Sequence, residues 1–339
     1  MRVLVTGVSG FIGKRIALDL LREGHAVRGS VRRPEREEEV RAALRPHLDD
    51  PSMLDRLEFV RLDLTSDDGW ADALLGMEAL VHVASPFPIS SPRNPEKLIR
   101  PAVDGTLRAM NAAWQAGVHR VVLTSSVAAV MNKDVPNGYT LDEDDWSQEG
   151  HPACDAYALS KTLAERAAWD FCDEHPEMRL TVICPGLVFG KPLDRRYGTS
   201  LELIDRFMKG KMLAVPNFGM PIVDLADVSA LHVEALKRPA TAGKRYIAAA
   251  GFAMMPKLAG WLKEAYPDRR IPTRKAPSWA VRAVGRFDPT ARAIVPILGR
   301  RLKISNERAR VDMDHQFVSM RDATLAAAEF LASKTEKAA

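Results

Sequence analysis

The stretch Thr6-Gly7-Val8-Ser9-Gly10-Phe11-Ile12-Gly13 follows a short apolar segment and begins a helical pattern. Gly7 permits a tight turn, Gly10 lets the backbone approach a pyrophosphate, and Gly13 lets the helix pack closely against the strand. The N-terminus of such a helix presents free N–H groups and the positive end of its dipole to phosphates. The stretch predicts a dinucleotide site made by Gly7, Ser9, Gly10, Phe11, Ile12 and Gly13. Glycines that only mark a turn are the alternative.

Short apolar runs alternate with helical patterns through the first half of the chain. The predicted strands are Val3–Thr6, Ala26–Val31, Leu57–Arg61, Ala79–Val83, His119–Thr124 and Leu180–Cys184. The predicted helices are Phe11–Arg22, Arg36–Leu44, Gly69–Leu75, Pro95–Gln115 and Cys154–Cys172. This alternation predicts an α/β fold, a Rossmann doubly wound parallel sheet covered by helices on both faces.

The pattern changes after Gly190, where prolines separate short elements and helical stretches follow near 277–299 and 320–334. We expect a smaller, mostly helical C-terminal part that binds the substrate at the carboxyl edge of the sheet, where ligands of open α/β sheets bind. The predicted division is residues 1–190 for NAD(P) binding and residues 191–339 for the substrate, with segments free to interleave between the two parts.

Composition is that of an ordinary soluble enzyme, with 339 residues, 46% hydrophobic and 27% charged. The net charge of +4 is too small to indicate nucleic acid, so none is expected as a partner. Residues 269–310 are locally basic, with twelve Lys or Arg against Asp288 and Glu307. Solvated faces of C-terminal helices explain this stretch most simply; an anionic substrate or a surface partner are the alternatives.

The three cysteines, Cys154, Cys172 and Cys184, are an odd number and lack metal-ligand spacing. They favour a reducing compartment and no bound metal. The chain enters a strand at Arg2, which leaves no room for a targeting peptide. No apolar run reaches the ~18 residues of a membrane helix. We therefore expect a cytoplasmic protein with no membrane partner.

The second predicted strand ends in Arg32 and Arg33, with no carboxylate at its tip. An acid at this place would hold the ribose 2′-hydroxyl of NAD, whereas arginine accommodates a 2′-phosphate. The tip therefore favours NADP (NADPH) over NAD, although NAD stays possible if the arginines only pair with the glutamates at 35 and 37–39. Asp63 and Leu64, after the third strand, are placed to meet the adenine; an exposed Asp cap is the alternative.

Tyr157 and Lys161 lie four residues apart in a predicted helix, so they share one of its faces. An ammonium beside a phenol favours the phenolate, which predicts a lowered pKa for Tyr157 and a better proton donor near neutral pH. The fifth strand ends at Thr124-Ser125-Ser126, where a serine hydroxyl can polarise a substrate carbonyl. We predict Ser126, Tyr157 and Lys161 as the catalytic set, with solvated residues and turn-forming serines as the alternatives.

These residues together resemble the extended short-chain dehydrogenases/reductases of the NAD-dependent epimerase/dehydratase superfamily. The likeness is strongest to the branch of dihydroflavonol reductases, cinnamoyl-CoA reductases and bacterial aldehyde reductases, and it covers nearly the whole chain. The matching motifs are Thr6–Gly13, Val31-Arg32-x-Pro34, Asp63-Leu64, His82–Pro86, Thr124–Ser126, Ser160–Glu165, Pro185–Gly190, Phe287–Pro289 and Arg321–Leu331.

The resemblance implies further contacts with the cofactor. Lys161 would also hold the nicotinamide ribose, beside Tyr157. The other implied residues are Ala84, Ser85 and Pro86 on the nicotinamide side, Thr124 and Ser125 at the strand end, and Pro185, Gly186, Leu187 and Val188 around the carboxamide. Phe87 and Met131 are the candidate substrate contacts. Met131 stands where plant dihydroflavonol reductases have a substrate-binding Asn, which argues against a polyhydroxylated flavonoid.

The sequence thus predicts an NADPH-dependent reductase of a small-molecule aldehyde or ketone, active as a monomer or homodimer. A nucleotide-sugar epimerase is the main alternative, because it shares the fold, the cofactor loop and the Tyr/Lys pair. Val127 and Ala128 follow Ser126 where sugar dehydratases carry an Asp-Glu pair, which disfavours elimination. A hydroxysteroid dehydrogenase stays open, and a non-catalytic NADP-sensing protein is disfavoured because Tyr157 and Lys161 are both present.

Overall fold

The computed structural model describes residues 1–86 and 94–336, so the predicted substrate contact Phe87 lies outside the described residues. The large sheet within this range has seven parallel strands. They are β1 (Arg2–Thr6), β2 (Ala26–Val31), β3 (Leu57–Arg61), β4 (Ala79–His82), β5 (Arg120–Thr124), β7 (Arg179–Pro185) and β11 (Lys244–Ala248), in the spatial order β3-β2-β1-β4-β5-β7-β11.

Helices cover both faces of this sheet. They are α1 (Phe11–Arg22), α2 (Arg36–Leu44), α3 (Trp70–Leu74), α4 (Glu96–Gln115), α5 (Ala156–Glu174) and α7 (Leu225–Lys237). Alternate residues of β1 face opposite layers: Val3 and Val5 pack in one core with residues of α1 and α7, and Leu4 packs in the other with residues of α3 and α4. Because both of their faces are buried, the central strands β1 and β4 are apolar almost throughout, as in other parallel sheets.

The rest of the chain forms a smaller part beside the carboxyl edge of the large sheet. Its three-stranded sheet pairs β8 (Leu187–Phe189) in parallel with β10 (Gly219–Asp224), and β10 antiparallel to β12 (Gly251–Met254). The helices α6 (Thr199–Met208), α8 (Met255–Ala265) and α12 (Met320–Glu336) contribute to a third apolar core that this sheet shares.

The described chain also has several short strands and α-helices. They are β6 (Thr140–Leu141), β9 (Val215–Pro216), β13 (Lys275–Ala276), β14 (Lys303–Ile304), α9 (Ser278–Val284), α10 (Pro289–Ile294) and α11 (Glu307–Asp312). β13 pairs with β9 and β14 pairs with β6, so the basic stretch is tied at two places to earlier parts of the chain. In the described part, no helix has the length and apolar character needed to cross a membrane.

The predicted fold class, a doubly wound Rossmann sheet with a smaller C-terminal part, is confirmed. The predicted bounds of α1 and α2 match those of the structure, and the six predicted strands all occur. β11, which joins the large sheet beside β7, was not predicted. The division into residues 1–190 and 191–339 stays a prediction, with β11 and α7 as segments of the second stretch that pack on the large sheet.

Candidate active site

The loop between β1 and α1 makes close contacts that leave no room for a side chain at its glycines. Gly7 has φ +66°, and a Cβ there would lie 3.0 Å from the Cα of Ala84. The N–H of Gly10 donates to the carbonyl oxygen of Gly7 at 2.9 Å. A Cβ at Gly13 would collide with that same carbonyl oxygen, so the third glycine sets how closely α1 approaches the loop.

Two hydroxyls fasten the loop to the neighbouring strands. The side chain of Ser30, near the end of β2, accepts the N–H of Gly7 at 3.1 Å. The hydroxyl of Thr6 accepts the N–H groups of Val83 and Ala84, both at 3.1 Å, and donates to Nδ1 of His82 at 3.0 Å. The predicted cofactor residues Gly7 and Ala84 are therefore brought together at the carboxyl edge, between β1 and β4.

Arg32 and Arg33 are both exposed at the tip of β2. Neither has a carboxylate partner among the described ion pairs; instead, Glu39 pairs with Arg36 at 2.8 Å. Arg36 also approaches the carbonyl oxygen of Ser9, in the glycine loop, at 3.5 Å. The two arginines at the strand tip thus remain available to an anion, and Arg36 is a further cation at the loop that the sequence analysis did not single out.

Asp63 and Leu64 lie beyond the end of β3. One oxygen of the Asp63 carboxylate accepts the N–H and the hydroxyl of Thr65, at 2.8 and 2.7 Å. These bonds lower the pKa of Asp63. Leu64 packs against Gly105 of α4. A Cβ added at Gly105 would lie 3.0 Å from the Cβ of Leu64. Asp63 therefore caps a local turn, the alternative that the sequence left open, while its second oxygen takes no part in these two bonds.

The predicted catalytic residues converge where α5 passes the end of β5. Asp155 caps α5 by accepting the N–H of Ala158 at 2.8 Å, which fixes the first turn that carries Tyr157. A side-chain hydrogen bond joins Tyr157 to Ser126. One turn further, Nζ of the buried Lys161 donates to the carbonyl oxygen of Thr124 at 3.3 Å.

The three consecutive hydroxyls at the end of β5 have three different partners. Thr124 donates to Nε2 of the buried His232 at 2.7 Å, and Nδ1 of that histidine donates to a carbonyl oxygen of its own helix, α7. Ser125 donates to Glu165 at 2.5 Å. Ser126 is the one that meets Tyr157, and its catalytic role stays a prediction. The hydroxyl protons of Thr124 and Ser125 are therefore already used within the protein.

Burial decides the ionisation of Tyr157 and Lys161. It raises the pKa of Tyr157, and the hydrogen bond from Ser126 offsets this only in part. The direction is opposite to the lowering expected from Lys161, because the desolvation of the phenolate outweighs nearby favourable contacts. Burial also lowers the pKa of Lys161 to about 8, although the carboxylate of Glu165 opposes this.

The substrate side is less complete than the cofactor side. The side chain of Met131 lies in the core of the α4 and α5 layer and is 6% exposed, which leaves little of it for a substrate. Pro185 ends β7, and Gly186 turns the chain into the small sheet so tightly that a Cβ there would lie 2.6 Å from the carbonyl oxygen of Pro221. Leu187 and Val188 then begin β8, so these four predicted cofactor residues bridge the two sheets.

Glu165 lies in one of the matching motifs but had no predicted role, and Arg245 was not predicted as a site residue. Arg245 on β11 forms a buried ion pair with Glu165, with Nε and Oε1 2.5 Å apart. The spacing of Glu165, four residues after Lys161, was a usable signal, because residues four apart share a helix face. No signal in the sequence linked Arg245 to it. No cluster of His, Cys, Asp or Glu suited to a metal occurs in the described ranges.

A Rossmann sheet, a glycine loop open to phosphates and a Ser-Tyr-Lys group at one edge define an NAD(P)-dependent oxidoreductase of the extended short-chain type. The family model described as "NAD dependent epimerase/dehydratase family" matches residues 3–249. The chain belongs to this family.

Several named relatives of the chain are reductases. An anthocyanidin reductase of Vitis vinifera, which forms (2S)-flavan-3-ol, is 32% identical over 79% of this chain and 82% of its own length. Tetraketide alpha-pyrone reductase 1 of Arabidopsis thaliana is 32% identical over 80% of this chain and 83% of its own. The crystal structure of yeast methylglyoxal/isovaleraldehyde reductase Gre2 with NADPH superposes with a TM-score of 0.82, at 25% identity over 99% of this chain and 100% of its own.

Proposed function

We propose that this protein is an NADPH-dependent reductase that converts an aldehyde or ketone to the alcohol. The observation that supports this most is the meeting of Ser126, Tyr157 and Lys161 at the carboxyl edge of the sheet, beside the glycine loop. The reductases among its relatives support the same class of reaction. A small carbonyl compound is the expected partner; a cytoplasmic location and a monomeric or homodimeric state stay predictions.

The residues present fit a dinucleotide. Side chains at positions 7 and 13 would fill the space at the start of α1. Gly10 is the N-cap residue of this helix, and within the described chain no side-chain hydrogen bond caps the helix there. NADPH, when bound, supplies the hydride that reduces the carbonyl carbon. In our proposal the loop residues hold its phosphates, Ala84, Ser85, Pro86 and Pro185–Val188 line its nicotinamide, and Arg32 and Arg33 select the 2′-phosphate.

The chain's own residues supply the proton and the polarity for this reaction. Ser126 donates a hydrogen bond to the substrate oxygen, and Tyr157 transfers its proton to the same oxygen as negative charge develops there. The raised pKa of Tyr157 keeps the phenol protonated before the reaction, as a proton donor requires. Lys161 places a positive charge on the same helix face, and this charge stabilises the phenolate that the transfer leaves behind.

The epimerase remains the second candidate because the family name includes it. No acidic residue follows Ser126 in the turn Val127–Ala129, which supports a mechanism without an additional acid-base pair at that place. This favours a single hydride and a single proton transfer. Met131 is kept as a proposed substrate contact, together with Phe87 outside the described residues.

The test is the oxidation of NADPH in the presence of aromatic and aliphatic aldehydes, ketones and steroids, with UDP-hexoses in parallel. We expect net loss of NADPH absorbance with at least one carbonyl compound and the corresponding alcohol as product. Interconversion of a UDP-hexose with no net change in cofactor, and no reduction of any carbonyl, would favour the epimerase instead. Reduction confined to steroids would identify the hydroxysteroid dehydrogenase.

A further inference from the structure

We propose that Glu165, held in place by Arg245, is a positioning residue of the reaction: it keeps Lys161 protonated and fixes the end of β5 beside Tyr157. Glu165 lies on α5 one turn after Lys161 and two turns after Tyr157. Its side chain is completely buried, and that of Arg245 is 7% exposed. A charged pair at this depth needs complete hydrogen bonding to be stable.

Glu165 has partners on both sheet and helix. The hydroxyl of Ser125 donates to Oε2 at 2.5 Å, the indole N–H of Trp169 donates to Oε1 at 3.3 Å, and the thiol of Cys184 lies 3.8 Å from Oε2. Arg245 adds a charge-assisted bond to each oxygen, at 2.5 and 3.4 Å. Because Ser125 precedes Ser126, the carboxylate holds, through the Ser125 hydroxyl, the residue next to the serine that meets Tyr157.

Arg245 is itself held by residues 143–146. Its Nη1 donates to the carbonyl oxygens of Glu143 and Asp145, at 2.8 and 2.7 Å. Its guanidinium lies 3.7 Å from the ring centre of Trp146, which stacks on it. The pair thus joins three separate segments, α5, β11 and residues 143–146, behind the catalytic residues. Such convergence restricts where Glu165 can place its charge.

Glu165 is the charged group that faces Lys161 among the described residues. His82 on β4 is neutral, because burial lowers its pKa to about 3. Cys184 on β7 is a neutral thiol, because burial raises its pKa. Tyr157 is a neutral phenol, and Thr124 offers only a carbonyl oxygen. Burial pushes Lys161 toward its neutral form, and the carboxylate of Glu165 opposes this.

A purely structural ion pair predicts different results from a pair that acts on Lys161. Removal of either kind lowers thermal stability, since a buried charge is left without its partner. Only a pair that acts on Lys161 changes the ionisation of that lysine. The decisive readouts are therefore the pKa of Lys161 and the pH profile of kcat/KM.

The variant is Glu165→Gln, which keeps the shape of the side chain and removes its charge. Lysine labelled with ¹³C at Cε gives the pKa of Lys161 by NMR, with the signal assigned through Lys161→Arg. We expect this pKa to fall by about 1 unit, the lower end of the effect of an opposite charge nearby. The alkaline limb of kcat/KM should move down by the same amount. Glu165→Asp, which retains the charge, should keep the limb near its wild-type position.

Glu143→Gln is the matched control. Glu143 is also a buried carboxylate near Arg245, but its side chain accepts the N–H of Ile247 at 3.1 Å and faces Arg308. Its replacement should lower stability without moving the pKa of Lys161. Where Glu165→Gln alone does not fold, the double variant Glu165→Gln/Arg245→Met takes its place; a smaller downward shift is expected, because the positive charge of Arg245 is lost as well.

An unchanged Lys161 pKa in the Glu165→Gln protein, or an equal shift in the Glu143→Gln protein, would overturn the inference. The pH profile of kcat/KM depends on the proposed reductase function, but the NMR titration of Lys161 requires no substrate. A wild-type protein that reduces no carbonyl would defeat the proposed function while the Lys161 titration still decides the role of Glu165. A wild-type protein that reduces carbonyls, but whose Lys161 has the same pKa with and without the Glu165 charge, would support the proposed function and overturn the role of Glu165.

Discussion

The cofactor side and the catalytic side of this molecule are built from contacts of different range. On the cofactor side, Gly7, Gly10 and Gly13 contact one another within seven residues of chain. On the catalytic side, Glu165 meets Arg245 eighty positions later, and the partner of Thr124 is His232. The cofactor loop is therefore a local property of sequence, whereas the electrostatics of the catalytic residues depend on long-range packing.

Loss of the Tyr157 hydroxyl should have the largest effect on the catalytic side. In Tyr157→Phe the ring still packs while the proposed proton donor is absent, so kcat should fall ~10²–10⁴-fold. Binding of NADPH, followed by its fluorescence, should change little. Turnover at the wild-type rate would remove Tyr157 from the mechanism.

The cofactor side is probed by Gly13→Ala. The added methyl would collide with the carbonyl oxygen of Gly7, so α1 must move and NADPH affinity should fall at least about tenfold, which corresponds to ~1.4 kcal/mol of binding free energy. Gly260→Ala is the matched control, because this glycine also lies in a helix and has no neighbour within 4 Å of an added Cβ. The control should bind NADPH normally and gain about 0.5–1 kcal/mol of stability. Equal affinities for the two variants would contradict the local account of the loop.

Cofactor choice should depend on Arg32 and Arg33, which lie outside the glycine loop but on the same side of the molecule. Replacement of both by Ala should raise the KM for NADPH about 10-fold or more, the scale of one lost charge-assisted hydrogen bond, and leave the KM for NADH nearly unchanged. Arg282→Ala, on α9, serves as the control for loss of an arginine elsewhere. A wild-type preference for NADH would show that these arginines do not select the cofactor.

The smallest expected effect is the pH dependence of the wild-type enzyme. Burial lowers the pKa of Lys161 from 10.5 to about 8, so the lysine loses its proton as pH rises through that value. Because the proposed mechanism uses protonated Lys161, kcat/KM should be at its plateau below this pKa and half of it near pH 8. An alkaline limb that begins only above about pH 10 would mean that Lys161 keeps the pKa of an exposed lysine.

Local sequence signals predicted the elements that position the cofactor loop. The bounds of α1 and α2 follow from their apolar periodicity, and β1 through β5 follow from short apolar runs between helices. β11 was missed, because Lys244–Ala248 acquires its place by pairing with β7, about sixty residues earlier. The small sheet of β8, β10 and β12 was missed for the same reason: each strand is short and lies among prolines and glycines that indicate turns.

The site residues also divide into features that local sequence predicts and features that depend on the folded structure. Ser126, Tyr157 and Lys161 were found from their order and spacing, and the structure brings them together. The pKa shift of Tyr157 was predicted in the wrong direction, because spacing reports which groups are neighbours but not how deeply they are buried. Met131 was predicted at a substrate pocket, and its side chain packs mainly in the core. Its sequence position alone could not show which way it points.

The sequence by itself determined the Rossmann class, the glycine loop, the Ser-Tyr-Lys order and the family, because each is written in contiguous residues or in a fixed helical spacing. Only the tertiary structure decided that Arg245 neutralises Glu165, that His232 takes the hydroxyl of Thr124 and that burial sets the pKa of Lys161. The physical reason is that electrostatic energies depend on distance and desolvation in space. Residues far apart in the chain come close together and lose their solvent only when the sheet has formed.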